Sequence, residues 1–270
     1  MSCEHTTGNP VTVHFTSAGH RLAGVFFEAR GREPLPTAVL LHGFPGNKED
    51  VLGLGDGLRQ RGINALAFNY RGTWESEGIW TAQTSLEDVS AACSFLRASE
   101  TARSFAIDAA RLALVGHSYG GGMALLGSLR EPAVRKVVSV AGGDLGVIAR
   151  RIAEDEEFRR SHEEFLEQCM ADPELARGLG GRVSHAWLLQ HKNEFSLVRH
   201  AGELAVKDIL LIGGRRDESI LVEEHVLPLY RELQRAMPRR LKIEVFDTDH
   251  SFESVRAELA DLVAGWILEH

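Results

Sequence analysis

The sequence predicts an α/β fold, a mostly parallel sheet with helices on both faces. Three observations carry this. Short continuous apolar runs recur at residues 37–41, 63–68, 112–115, 137–141, 209–212 and 243–246. Runs of that length without polar alternation fit strands covered on both sides. Between them, residues 50–61, 85–98, 118–130, 221–237 and 252–268 carry apolar side chains at three- and four-residue spacing, the helical period. Finally, strands and helices alternate, which implies parallel neighbours joined by right-handed crossovers. Ligands of such sheets bind beyond the carboxyl ends of the strands.

Ahead of the parallel part, residues 11–15 and 22–28 alternate and flank a turn at Ala18-Gly19-His20, an antiparallel pair that opens the sheet. The 270 residues suit one domain, residues 1–270, carrying an insertion. The insertion is placed at residues 143–207, about 65 residues between two sheet strands where a connection is normally a few. Residues 152–170 within it are charged and helical in pattern. The segment is therefore expected to be a mostly helical cap over the strand ends, with a solvated excursion remote from any site as the alternative.

Composition narrows the partners. A net charge of −8 with no long basic block argues against nucleic acid and anionic membranes. No apolar run reaches the roughly 18 residues of a membrane span. The opening MSCEHTTGNP lacks the charged-then-apolar pattern of a secretion signal. Cys3, Cys93 and Cys169 are odd in number and far apart, forming neither a metal-type pair nor a disulfide framework. They fit free thiols in a reducing cytoplasm, so a cytoplasmic location is expected. With no H-E-x-x-H and no Cys/His cluster, neither a metal nor another cofactor is expected.

Gly116-His117-Ser118-Tyr119-Gly120 matches G-x-S-x-G between an apolar run and an Ala/Leu-rich helical stretch. The chemistry needs this spacing. The serine sits on a sharp strand-to-helix turn, so the positions two residues either side must be small. The turn lifts the hydroxyl above the sheet, over the N-terminus of a helix. Such a pentapeptide arises readily by chance, and its strand-before, helix-after context makes Ser118 the candidate nucleophile. His117 is the motif's variable residue and is expected to pack inward rather than act as the base. Upstream, His42-Gly43-Phe44 ends another apolar run. Acyl hydrolysis builds negative charge on the carbonyl oxygen, which fixed backbone donors stabilise. The amide of Tyr119 and the amide of Phe44 are the natural pair, since Pro45 cannot donate.

A serine hydroxyl needs a base that titrates in the useful range, hence a histidine. Of twelve, His250 stands out: residues 242–246 read as the last strand, and Asp247-Thr248-Asp249-His250 follows as its exit loop. His185, His191 and His200 fall in the insertion and are expected to be surface or packing residues. A carboxylate must hold the base in one tautomer. Asp217, which follows residues 209–212 through Gly213-Gly214-Arg215-Arg216, is favoured. Asp144, after residues 137–141, is the alternative, and Glu218 is a further one. Asp247 and Asp249 stand too close in sequence to His250 to support it from the far side.

Together, Gly116-His-Ser-Tyr-Gly-Gly, His42-Gly43-Phe44, Arg215-Arg-Asp217 and Asp249-His250-Ser-Phe resemble the α/β-hydrolase superfamily. More narrowly, the chain is similar to capped bacterial esterases of the cinnamoyl- or feruloyl-esterase type and to the catalytic domain of acylaminoacyl peptidases. The resemblance spans about residues 11–268. It implies an eight-stranded, mostly parallel sheet, a serine triad of Ser118, Asp217 and His250, and an oxyanion hole from the amides of Phe44 and Tyr119. Asn69-Tyr-Arg-Gly-Thr-Trp74 resembles that family's Arg-Gly loop, with Trp74 where a small residue is usual. Trp74 and Trp187 are the candidate pocket residues. Trp187, Leu188 and Leu189 are expected to form an apolar wall facing Phe44, Trp74 and Tyr119.

The function expected is hydrolysis of small-molecule carboxylic esters through an acyl-enzyme. Thioester or amide cleavage uses the same apparatus and stays open. So do a catalytically silent binding protein on this fold and a lyase or cofactor-free oxidase. The oligomeric state is not set by these patterns.

Overall fold

A computed structural model describes residues 9–31, 33–176 and 184–269 of the chain. Eight strands form one sheet: β1 (Val11–Ser17), β2 (His20–Phe27), β3 (Leu35–Leu41), β4 (Asn64–Phe68), β5 (Ile107–His117), β6 (Lys136–Val140), β7 (Asp208–Gly214) and β8 (Arg240–Phe246). Their spatial order is β1-β2-β4-β3-β5-β6-β7-β8. β2 pairs antiparallel with both β1 and β4, and every later pairing is parallel. The sheet is mostly parallel and eight-stranded, as the sequence resemblance implies. The opening hairpin turns through Ala18 and Gly19, both left-handed at φ 45 and 84, a two-residue turn whose twist matches the strands.

Alternate residues of the central strands feed two cores. Val39 and Leu41 of β3 face one side with Leu86, Val89 and Met123. Ala38 and Leu40 face the other with Leu54, Leu58, Leu259 and Val263. Each fully buried Val, Leu or Met side chain contributes roughly 1.5–3 kcal/mol, and the sheet's rigidity comes from this double coverage. The first core is closed by α2 (Ala82–Arg97) and α4 (Tyr119–Arg130), the second by α1 (Leu54–Arg59) and α11 (Arg256–Leu268).

The departures from the sequence reading have local causes. α1 is shorter than expected because Leu52 and Gly53 take left-handed angles ahead of it. α2 starts earlier, where the Thr81 and Thr84 side chains and amides cap each other. α3 (Ser99–Ser104) buries nothing and so has no apolar stripe to read. Residues 221–237 split into a π-turn at Val222–Val226 and α10 (Leu227–Arg235). β8 is an edge strand with no fully buried residue and with charges at Arg240, Lys242 and Glu244, so only its last four residues read as a run.

Between β6 and β7 lie α5 (Leu145–Glu154), α6 (Glu156–Ala171), α7 (Pro173–Ala176), α8 (His185–His191), a 3-10 turn at Val198–His200 and α9 (Ala201–Leu204). The charged stretch expected as one helix is two, broken at Asp155, whose carboxylate caps α6 by accepting from the Phe158 amide at 2.9 Å. Ala149, Ile152 and Leu188 form a small cluster of their own there. Cys93 and Cys169 are free and buried. Cys3 and the opening residues lie outside the described residues. Among the described residues, no helix is long and apolar enough to cross a membrane.

Candidate active site

β5 runs directly into α4, and Ser118 is the one residue between them, at φ 55 and ψ −122. A non-glycine residue holds such left-handed backbone only where its surroundings impose it. The Ser118 amide donates to Val140 of β6 at 2.9 Å. Its carbonyl accepts from Gly121, Gly122 and Gly143 at 2.9, 3.3 and 2.9 Å. The motif glycines leave no room for a side chain: a Cβ at Gly116 would lie 1.9 Å from the Gly120 carbonyl oxygen, and one at Gly120 would lie 2.1 Å from that of Leu41. The turn therefore nests against the end of β3, where a Cβ added to Gly43 would come within 3.1 Å of Ser118 Cβ.

This contact sets the end of β3, and with it the segment that leads to Phe44, beside the Ser118 turn. Tyr119 is the first residue of α4, so its amide is one of the N-terminal N–H groups that a helix leaves without an internal partner. Phe44 follows Gly43, and its half-buried ring stacks on Trp80 at 4.9 Å and meets Tyr119 edge-on at 6.3 Å. The Tyr119 hydroxyl donates to Ser85 Oγ at 2.8 Å. Behind them His42 is buried, with Nδ1 donating to the Gly43 carbonyl at 2.7 Å, and burial pushes its imidazole down to about 4.

The loop carrying Phe44 is braced from residues 69–76. Asn69 Oδ1 accepts from the Lys48 amide at 2.7 Å, and its Nδ2 donates to Glu75 at 2.6 Å. Lys48 Nζ pairs with Glu49 at 2.7 Å and Glu75 at 3.1 Å. The Trp74 indole donates to the Gly46 carbonyl at 2.7 Å, while its amide donates to the Glu174 carbonyl in α7 at 3.2 Å. Trp74 thus joins the Phe44 loop to the insertion. Arg71 is turned away into a buried pair with Asp88, 2.8 Å apart.

On the far side, the exit loops of β7 and β8 are laced together: the Arg215 amide donates to Phe246 at 2.8 Å and the Arg216 amide to Thr248 at 2.9 Å. This lacing brings Asp217 and His250 into contact across 33 residues, with His250 Nδ1 donating to Asp217 Oδ2 at 2.7 Å. The other carboxylate oxygen accepts from the amides of Ser219 and Ile220 at 2.9 and 2.8 Å. Burial works to raise the Asp217 carboxyl, but the imidazole and these amides outweigh it and hold the group below its ordinary range. The His250 side chain is 28% exposed, while that of Asp217 is fully buried.

Asp144 lies elsewhere. It caps α5, accepting from Gly146 at 2.7 Å and Val147 at 3.3 Å, while its second oxygen takes the amides of Leu197 and Val198 at 2.9 and 3.4 Å. Asp247 pairs with Arg215 and Arg216, and Asp249 caps the next turn through Ser251.

Two residues do more here than the motifs indicate. His117 lies half-buried against His250, their rings 4.7 Å apart, and its Nε2 donates to the His250 carbonyl at 3.0 Å. Burial and the neighbouring imidazole push it down to about 3. Inward packing was expected of it, but its grip on the His250 backbone was not. Trp80 joins Phe44 and Tyr119 in one aromatic group, and it sits in an irregular stretch that gave no periodic signal. Trp187 stacks on His191 at 4.3 Å and leans on Phe195 at 5.3 Å, both residues of the insertion. Leu188 packs with Ala149 and Ile152, so the wall expected of this trio has Leu188 turned into the insertion's own cluster. Among the described residues, no group of three or more His, Cys, Asp or Glu side chains is arranged to hold a metal ion.

Comparison with known proteins agrees with this architecture. The alpha/beta hydrolase family matches residues 38–262. The protein YfhR of Salmonella typhimurium is 25% identical over 254 residues, covering 91% of this chain and 76% of its own. Among solved structures, the Pyrococcus furiosus esterase Pf2001 superposes with a TM-score of 0.68 at 19% identity, over 96% of this chain and 92% of that one. Est1E from Butyrivibrio proteoclasticus, in a structure with ferulic acid bound, superposes with a TM-score of 0.69 at 16% identity, over 95% of this chain and 98% of that one.

Proposed function

The chain belongs to the alpha/beta hydrolase family, and from that premise we propose that it hydrolyses carboxylic esters of small molecules through an acyl-enzyme on Ser118. The observation that carries this reading is the 2.7 Å contact between His250 Nδ1 and the buried Asp217, on loops leaving the same sheet ends as the Ser118 turn. An imidazole so held presents Nε2 as a proton acceptor.

In the proposed reaction, Ser118 Oγ attacks the ester carbonyl carbon and its proton passes to His250 Nε2. The carbonyl oxygen becomes an oxyanion facing the amides of Phe44 and Tyr119, donors whose loss typically costs roughly 2.7–4 kcal/mol each. Collapse expels the alcohol, which leaves with the proton from His250. Water then repeats the sequence on the acyl-serine, releasing the acid and restoring Ser118. Asp217 keeps His250 in one tautomer and stabilises its charged form. Residues 143–207 act as a cap that sets substrate choice. Phe44, half-buried and backed by the buried rings of Trp80 and Tyr119, offers an aromatic contact suited to aryl or medium acyl groups, with Trp74 bracing its loop. Ferulic acid bound to the structurally similar Est1E supports that choice.

The test is fluorophosphonate labelling with hydrolysis of p-nitrophenyl esters of graded chain length. Ser118→Ala is expected to lose labelling and several orders of magnitude in rate while keeping its fold. A variant that retains more than a tenth of the rate sinks the assignment.

A further inference from the structure

β8 ends the sheet opposite the hairpin. Its inner edge pairs with β7 from Asp208↔Arg240 to Gly214↔Phe246, and among the described residues no strand lies on its outer edge. A strand in this position presents a row of backbone donors and acceptors that another strand can take up. Folded proteins usually blunt such an edge with charge. β8 carries two exposed charges, Lys242 and Glu244, on one face and 3.6 Å apart. Apolar Val245 beside them is 41% exposed.

The arrangement of these residues distinguishes blocking from pairing. Residues directly opposite in an antiparallel pair share a face, so a two-fold axis between two copies must pass through a residue position. With the axis at Ile243, Lys242 of each copy faces Glu244 of the other, Leu241 faces Val245, Arg240 faces Phe246, and Ile243 faces itself. The two Lys242–Glu244 pairs are then opposite in charge and the Leu241–Val245 and Ile243–Ile243 pairs apolar, while Arg240, opposite Phe246, keeps its own partners Glu269 and Trp266. Moving the axis one position to Lys242 or to Glu244 sets like charges against each other, which is unfavourable. The sequence Arg-Leu-Lys-Ile-Glu-Val-Phe thus complements itself about Ile243, where a purely protective edge needs only repulsion.

We propose that β8 is the interface of a symmetric homodimer in which the two sheets continue into one another, antiparallel, about Ile243. The interface uses no residue assigned to ester cleavage, so it stands or falls independently of that assignment.

Analytical ultracentrifugation of the full chain across a concentration series tests it. The wild type is expected to sediment as a dimer. Lys242→Glu and Glu244→Lys should each weaken association at least tenfold, because each places two like-charge pairs across the axis. The double swap Lys242→Glu/Glu244→Lys should restore the dimer, with circular dichroism and thermal unfolding verifying the fold of every variant. Ile243→Cys gives a readout that needs no charge reversal to fold. Opposite Cβ atoms about 4.5–5.5 Å apart should let mild oxidation link two chains, beyond any linkage seen in the parent. A wild type that stays monomeric throughout overturns the proposal. So do folded single reversals that dimerise like the wild type, a folded double swap that stays monomeric, or an Ile243→Cys chain that does not cross-link.

Discussion

Asp217, at the sheet ends, and Asp144, at the root of the insertion, are both buried, at 3% and 0% exposure, yet the regions around them use a carboxylate differently. Asp217 gives one oxygen to backbone amides and the other to an imidazole, and the sum holds it below its ordinary range. Asp144 gives both oxygens to amides, two from the start of the insertion and two from near its end, and burial prevails to raise it. One region is organised around an imidazole, the other around chain closure. Burial alone therefore does not identify a reacting carboxylate. The side chain it orients does.

Paired substitutions make the contrast measurable. Asp217→Asn is expected to lower kcat/KM by roughly 10³–10⁴-fold with little change in unfolding midpoint. Asp144→Asn should do the reverse, leaving activity per folded molecule near wild type and costing about 1–3 kcal/mol of stability in urea titrations as its amide donors lose an acceptor. If the activity ranking inverts, the contrast is broken and the acid belongs after β6.

Trp187→Ala probes the insertion itself. Loss of its stack on His191 and Phe195 should cost about 2–4 kcal/mol. A role in substrate choice adds a changed preference between short and long esters with fluorophosphonate labelling intact. A uniform loss of rates with unchanged preference would make Trp187 packing alone.

His117→Phe keeps the ring beneath His250 but removes the donor to its carbonyl. One lost hydrogen bond of about 1 kcal/mol predicts a roughly five- to tenfold drop in kcat with KM little changed, partly recovered by His117→Gln. Equal kinetics for Phe and Gln variants would show that only the ring matters.

A pH dependence of stability is also expected. Burial lowers the folded-state values of His42, His117 and His225 to about 4, 3 and 4, against 6.5 in an open chain. Below 6.5 the unfolded chain takes up protons that the folded chain refuses. Stability is thus full above that value and falls as pH drops toward 4, by up to about 1.4 kcal/mol per unit for each imidazole. Asp217, lowered from 3.8, loses its contribution only at still lower pH. Urea midpoints at pH 7 and pH 5 measure the slope, and a flat profile would contradict these burials.

The two regions were also unequally readable. The strand-to-helix turn at Ser118, the exit loop at His250 and the Phe44 loop follow from spacing, because the sheet's register converts sequence position into place. The contact between Asp217 and His250 could be ranked ahead of Asp144 but not fixed, since the lacing of Arg215 and Arg216 to the β8 exit is backbone bonding with no side-chain signature. Trp74's two bonds and the break at Asp155 were invisible for a similar reason. In the insertion, helices choose partners by shape, and a charged helix reads alike whether whole or broken.

The four amides gathered by Asp144 have a consequence for chain length. The insertion departs and returns within the span of one carboxylate group, so the cost of closing it is set by ends already held together. Doubling or halving the intervening chain would alter the entropy of closing that loop by only about 0.6 kcal/mol. On closure entropy alone the segment tolerates lengthening or shortening, and what ties its path to the rest of the molecule is contact: Glu174 with the Trp74 amide, and Cys169, Leu175 and Phe195 in the main core.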